Sequence, residues 1–142
     1  MGLEEYLPNQ RYVSRFKFKN WGDVYKITLD VEMPHGQPLE KLQESLLKNK
    51  VPIRKVKSWG RPGKRGVEYC GKFPSSALEY SIRVLSITRG DPHTLVNLRG
   101  RNYSKSTNGM DTLMQAIRDY VIACEKGPEV LLDLKPSPDS TG

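Results

Sequence analysis

Arg15, Lys17 and Lys19 stand at alternate positions, with Ser14, Phe16 and Phe18 between and beside them. In an extended chain, residues two apart share a face. This run therefore sets cations, continued backwards by Val13 and Arg11, against a side made of Tyr12, Ser14, Phe16 and Phe18. Ser81 and Arg83 alternate in the same way with Tyr80, Ile82 and Val84, and Asn97, Arg99, Arg101, Tyr103 and Lys105 share one side of a later run. Lys26 alternates with Tyr25 and Ile27, and Arg54, Lys55 and Lys57 open the most basic stretch of the chain. Lysine and arginine hold phosphates, and serine and threonine hydroxyls bond phosphate and ribose oxygens. The chemistry these residues can do is to grip the backbone of a nucleic acid.

Catalytic chemistry is thinly represented. The two histidines, His35 and His93, lie beside Gly or Pro in expected turns, where an exposed imidazole is the simpler reading than a general base. Cys70 and Cys124 are far from each other and from both histidines, without the close ligand pairs of structural zinc sites. Gly60 to Gly66 is glycine-rich but lacks the Lys-Ser/Thr ending and the strand–loop–helix setting of a phosphate loop. The acidic residues are scattered. No catalytic residue, no metal site and no cofactor is expected, and the chain is read as a binding protein rather than an enzyme.

The charge is unevenly placed. The net charge is +7, but between Arg11 and Lys105 there are 20 Lys/Arg against 8 Asp/Glu, while the remaining residues carry 3 against 8. A basic body with acidic ends is the electrostatic footprint of a polyanion binder. No apolar run approaches the roughly 20 residues that cross a bilayer, so no membrane partner is expected. Two cysteines point to reduced thiols in an intracellular setting.

The elements that would carry these side chains follow from periodicity. A leader over 1–10, a single domain over 11–134 and a disordered Pro/Ser-rich tail over 135–142 are expected. The first strand runs from Arg11 to Lys19. Asn20-Trp21-Gly22-Asp23 forms a turn, and Val24 to Met33 returns with Tyr25, Ile27, Leu29, Val31 and Met33 inward. Leu39, Leu42 and Leu46 mark a helix that stops near Asn49. Gly and Pro are dense over 53–66, which predicts a mobile basic loop. Strands follow over 67–73, 78–89 and 94–105, with a bulge at Gly100. Met110, Leu113, Ile117, Val121 and Cys124 recur at helical spacing, capped by Asn108 and ended by Gly127-Pro128. The fold class is α+β: a mostly antiparallel sheet with helices packed on one face and an open basic face for RNA.

Duplex RNA is recognised mainly through shape, phosphates and 2′-hydroxyls, whereas single strands are held by exposed aromatic platforms. Most strand aromatics point inward here, which favours the duplex. Trp21-Gly22 and Trp59-Gly60 have two readings: each tryptophan anchors a turn against the core, or stays exposed and enters a pocket of a partner protein.

A series of short islands resembles a known family. Phe18-Lys19-Asn20-Trp21-Gly22 with the strand Val24 to Leu29, the helix Leu39 to Lys48, Tyr80-Ser81-Ile82-Arg83 with Ser86-Ile87-Thr88, and a Ser104–Gly109 turn before the helix Met110 to Lys126 occur in this order. They resemble the RNA-silencing suppressors of tombusviruses and aureusviruses over roughly residues 17–126. The resemblance implies a viral protein acting in the host cytoplasm, with possible entry to the nucleus. It implies a homodimer whose concave sheet sequesters double-stranded small RNA away from Argonaute-type complexes. By position, Lys19 and Lys26 become phosphate contacts, and Ser81 and Arg83 RNA-facing strand residues. Trp21, Gly22, Trp59 and Gly60 become possible Argonaute contacts. Length-measuring members stack N-terminal tryptophans on duplex ends, but residues 1–10 contain none, so longer duplexes are expected to bind as well. The alternative is a cellular basic RNA- or ribosome-associated or protein-interaction module.

Overall fold

The computed structural model describes the backbone of residues 2–134, with side chains as far as Lys126. The expected tail over 135–142 lies outside the described residues. Six antiparallel strands form one sheet: β1 (Val13–Trp21), β2 (Val24–Pro34), β3 (Lys55–Arg61), β4 (Lys64–Lys72), β5 (Leu78–Ile87) and β6 (His93–Asn102). Their order across the sheet is β1-β2-β6-β5-β4-β3. The chain leaves β2 through helix α1 (Glu40–Lys48), reaches the far edge at β3, and walks back strand by strand until β6 closes against β2. Helix α2 (Met110–Leu134) follows.

Alternation decides which side chains meet the helices. Ile27, Leu29, Val31 and Met33 of β2, Val96 and Leu98 of β6, and Leu78, Tyr80, Ile82 and Val84 of β5 are buried in one core. Leu42 and Leu46 of α1 and Met110, Leu113, Met114, Ile117, Tyr120 and Val121 of α2 complete it. Each fully buried aliphatic or aromatic side chain contributes about 1.5–3 kcal/mol, so this layer is what holds the sheet flat against the helix pair. The helices also bond to each other: Ser45 Oγ donates to the Ala116 carbonyl, and Asn49 Nδ2 donates to Asp119 Oδ2 at 3.0 Å. The α+β class and the one-sided packing follow.

Several boundaries differ from expectation, each for a physical reason. The strand expected from Arg11 begins at Val13, because Gln10–Tyr12 form a 3-10 turn. An irregularity between Val13 and Arg15 then turns Val13 towards the core, off the cationic side. The stretch 53–66 is not a mobile loop. It is β3, a tight turn at Pro62-Gly63 and the start of β4. Proline fixes the first turn residue, and Gly63 takes φ 85, open to glycine at no steric cost. Gly100 marks no bulge, since its pairing to Ile27 and Tyr80 is regular. A Cβ there would sit 2.7 Å from Ile27 Cγ2, so glycine serves close packing. β6 stops at Asn102, whose buried amide accepts from Ser104 N and Oγ and donates to the Ser106 carbonyl. That side chain folds the following turn, so Tyr103 and Lys105 leave the strand. Gly109, at φ 93 just before α2, stands where Asn108 was expected to cap. The helix continues through Gly127-Pro128 to Leu134; a proline inside a helix costs about 3 kcal/mol but does not forbid continuation.

The leader is also structured. Leu3–Tyr6 form a 3-10 turn, and Leu3, Tyr6 and Leu7 pack against the core. Arg118 Nη1 of α2 donates to the Glu5 carbonyl at 3.0 Å.

Candidate nucleic-acid interface

The helices cover one face of the sheet, and the residues at the intervening positions line the other. Pairing register arranges that outer face in rows. One row reads Lys19, Lys26, Arg101, Glu79, Lys72 from β1 to β4. The next reads Lys17, Thr28, Arg99, Ser81, Cys70, Lys55. A third reads Arg15, Asp30, Asn97, Arg83, Glu68, Lys57. Beyond it lie Glu32, Leu95, Leu85, Gly66 and Trp59, then His93, Ile87, Lys64 and Arg61. Twelve cations thus share this face with four carboxylates.

Of the sequence-predicted residues, Arg15, Lys17, Lys19, Lys26, Lys55, Lys57, Ser81, Arg83, Arg99 and Arg101 fall in these rows. Arg54 does not. It precedes β3, its N–H bonds the Cys70 carbonyl at 2.8 Å, and it alternates with Lys55, which places it in register with the helix side. Asn97 joins the face as its alternation with Arg99 and Arg101 predicted, and Lys64, Lys72, Arg61 and Thr28 join it without having been singled out. Their signal was the same two-residue alternation, hidden for Lys64 and Arg61 by the Gly/Pro-rich setting.

The carboxylates are placed with purpose. Asp30 accepts from Arg99 Nη1 at 2.7 Å and from Asn97 Nδ2 at 2.8 Å, and Arg15 Nε lies 4.0 Å away. Partial burial works against its ionisation, but the hydrogen bonds from Arg99 and Asn97 and the charges of Arg99 and Arg15 outweigh it and hold Asp30 below its usual value. Arg99 is therefore a braced strand residue more than a free phosphate ligand. Glu79 lies between Arg101 and Lys72, and Glu68 between Arg83 and Lys57, in complementary cross-strand pairs. Lys17, Lys19 and Lys26 form no ion pair with a described residue. Cys70, amid this face, has its thiol held up by burial and by Glu68, against Lys55 and Lys57, so it stays protonated.

Neither tryptophan anchors the core. Trp21 is 68% exposed, and Lys26 Nζ lies 5.2 Å from its ring centroid. It precedes a two-residue hairpin turn in which Gly22 takes φ 56, so Gly22 has a backbone role. Trp59 is part of edge strand β3, not of a loop. Its ring lies across Gly66, where a Cβ would collide with it, and Arg83 Cζ sits 4.9 Å from the ring centroid. Gly60, opposite Arg65, belongs to the helix side of β3.

Among the described residues, no group of three or more His, Cys, Asp or Glu could hold a metal, and no helix is long and apolar enough to cross a membrane. Cys124 is buried and its thiol is pushed up to about 11 by that burial.

No family model and no curated protein matches the chain. A solved structure from Lactococcus lactis named as a candidate thioesterase, yhdA, is similar at 8% identity and a TM-score of 0.24, over 75% of this chain and 100% of that one. A likeness that slight carries no argument about fold or activity.

Proposed function

We propose that this chain binds double-stranded RNA across the outer face of its sheet, with little regard to sequence, and that by sequestering small RNA duplexes it suppresses RNA silencing. The observation that supports this most is the register: it sets twelve Lys and Arg side chains on the face the helices leave open. Ser81, Thr28 and Asn97 add neutral donors and acceptors suited to ribose and phosphate oxygens. The role in silencing rests on the resemblance to the viral suppressors, as do the homodimer, the site of action in the host cytoplasm or nucleus, and any contact of Trp21-Gly22 or Trp59-Gly60 with an Argonaute protein. The protein acts by binding, with no catalytic step.

The test is a gel-shift series with RNA duplexes of several lengths and sequences, DNA duplex and single strands, at two salt concentrations. Tight binding to RNA duplex that weakens steeply with salt is expected, and Lys19→Glu or Arg83→Glu should weaken all sequences alike. Equal binding to DNA duplex, or no duplex binding, would overturn the reading and leave a general basic interaction module.

A further inference from the structure

The outer face is not uniform. At the end where β1 turns into β2, two depressions lie side by side. One, of about 230 Å³, is lined by Trp21 with Arg15, Lys17, Lys19, Lys26 and Thr28. The other, of about 310 Å³, has Tyr103 at its rim with Lys26, Thr28, Ser81, Arg99 and Arg101 among its walls. Lys26 and Thr28 line both, so the two adjoin as one trough. Glu79 is the only carboxylate lining it.

Each half carries an exposed ring beside cations. Trp21 has Lys26 over it, and Tyr103, 50% exposed, accepts from Arg101 Nη1 at 3.4 Å. Trp21 is the last residue of β1 and Tyr103 directly follows β6, whose Asn102 pairs with Tyr25 of β2, so both rings lie at the same end of the sheet. Lys26 and Thr28 line the depression beside each ring, so one polynucleotide strand that follows the two depressions meets both. A paired duplex presents no open base faces along its length. Exposed rings interleaved with free lysines are instead the arrangement that holds unpaired bases: the base stacks on the ring and its phosphates meet the cations.

We infer that this trough is a subsite for unpaired nucleotides, so that the protein holds a duplex on the central rows and a single-stranded extension of it on Trp21 and Tyr103. The inference rests on the duplex reading above but is separable from it. Lys26 sets the register between base and phosphate by contacting both halves.

The chain has two tryptophans, so Trp59→Phe leaves Trp21 as the sole indole reporter in the full-length protein. The probes are a blunt RNA duplex, the same duplex with a short unpaired tail, and the tail sequence alone. The tailed duplex is expected to bind more tightly than the blunt one and to quench Trp21 fluorescence, which the blunt duplex leaves unchanged. Trp21→Ala and Tyr103→Ala should each cost about tenfold on the tailed probe and leave the blunt one unaffected, while Trp21→Phe keeps most of the gain. Both side chains are exposed, so unchanged thermal midpoints check the fold. Equal affinity for blunt and tailed probes without quenching overturns the subsite and leaves the duplex reading standing. Quenching and binding by the tail alone, with no blunt-duplex binding, supports the subsite and removes the duplex reading. No binding to any probe removes both.

Discussion

Asp30 shows how a single residue sets both stability and surface charge. It takes hydrogen bonds from Arg99 and Asn97 and has Arg15 within 4.0 Å. Its carboxyl is held below its usual value, so the folded state favours the ionised form. The stability this lends is complete above the ordinary value of 3.8 and is lost as pH falls through the lower folded value. Asp30→Asn should therefore destabilise the protein by about 1.5–3 kcal/mol near neutral pH and remove part of its loss of stability in acid, both read by urea unfolding across pH. The same substitution frees Arg15 and Arg99, so tighter and more salt-sensitive RNA binding is expected from the folded fraction. Gly100 is constrained differently. Its missing Cβ makes room for Ile27, and Gly100→Ala should cost about 1–3 kcal/mol by overpacking, measured as a lower denaturation midpoint.

At the scale of elements, β3 is the informative strand. All seven of its residues are exposed, and it pairs on one side only, with β4. Its lysines and arginine fit an edge that discourages further pairing. Hydrogen exchange should find its amides among the least protected in the sheet, and those of β5 and β6, central and buried, among the most. Gly66→Ala should push the Trp59 ring off β4 and part it from Arg83, seen as a shift in indole emission. The pattern of β3 was present in the sequence: Lys55, Lys57, Trp59 and Arg61 alternate with Val56, Ser58 and Gly60. It was obscured because Pro62 and Gly63 punctuate the stretch as a loop would. Whether such punctuation closes a two-residue hairpin or opens a mobile segment depends on the partner strand, and β4 has β5 to lean on. The strand β2 and helix α2 were legible because long runs with a buried face leave an unambiguous period.

For the whole molecule, the sign and placement of charge matter more than any one contact. If the outer face binds duplex, each lysine or arginine that meets a phosphate should lower the slope of log affinity against log salt by about 0.9 when removed, the value for B-form duplex. Lys17→Ala and Lys19→Ala should show it. Lys48→Ala at the end of α1 should not, since that helix packs against the opposite face. Equal slopes in all three variants would mean that the sheet face is not where the polyanion lies.

The order of residues along the chain carries the two-residue alternation of β1, β2, β5 and β6, the apolar stripe of α2 and the concentration of cations in the body of the chain. From these follow the α+β class and a basic face opposite the helices, because a strand's faces are fixed by parity alone. How the strands lie beside one another comes from long-range packing instead. The order β1-β2-β6-β5-β4-β3 brings Lys26, Arg101 and Glu79 into one row from three separate strands. It also sets Asp30 against Arg99, leaves Arg54 off the face, and brings Trp21 and Tyr103 to one end of it. These are long-range pairings, fixed by which strand's buried side fits the shared core.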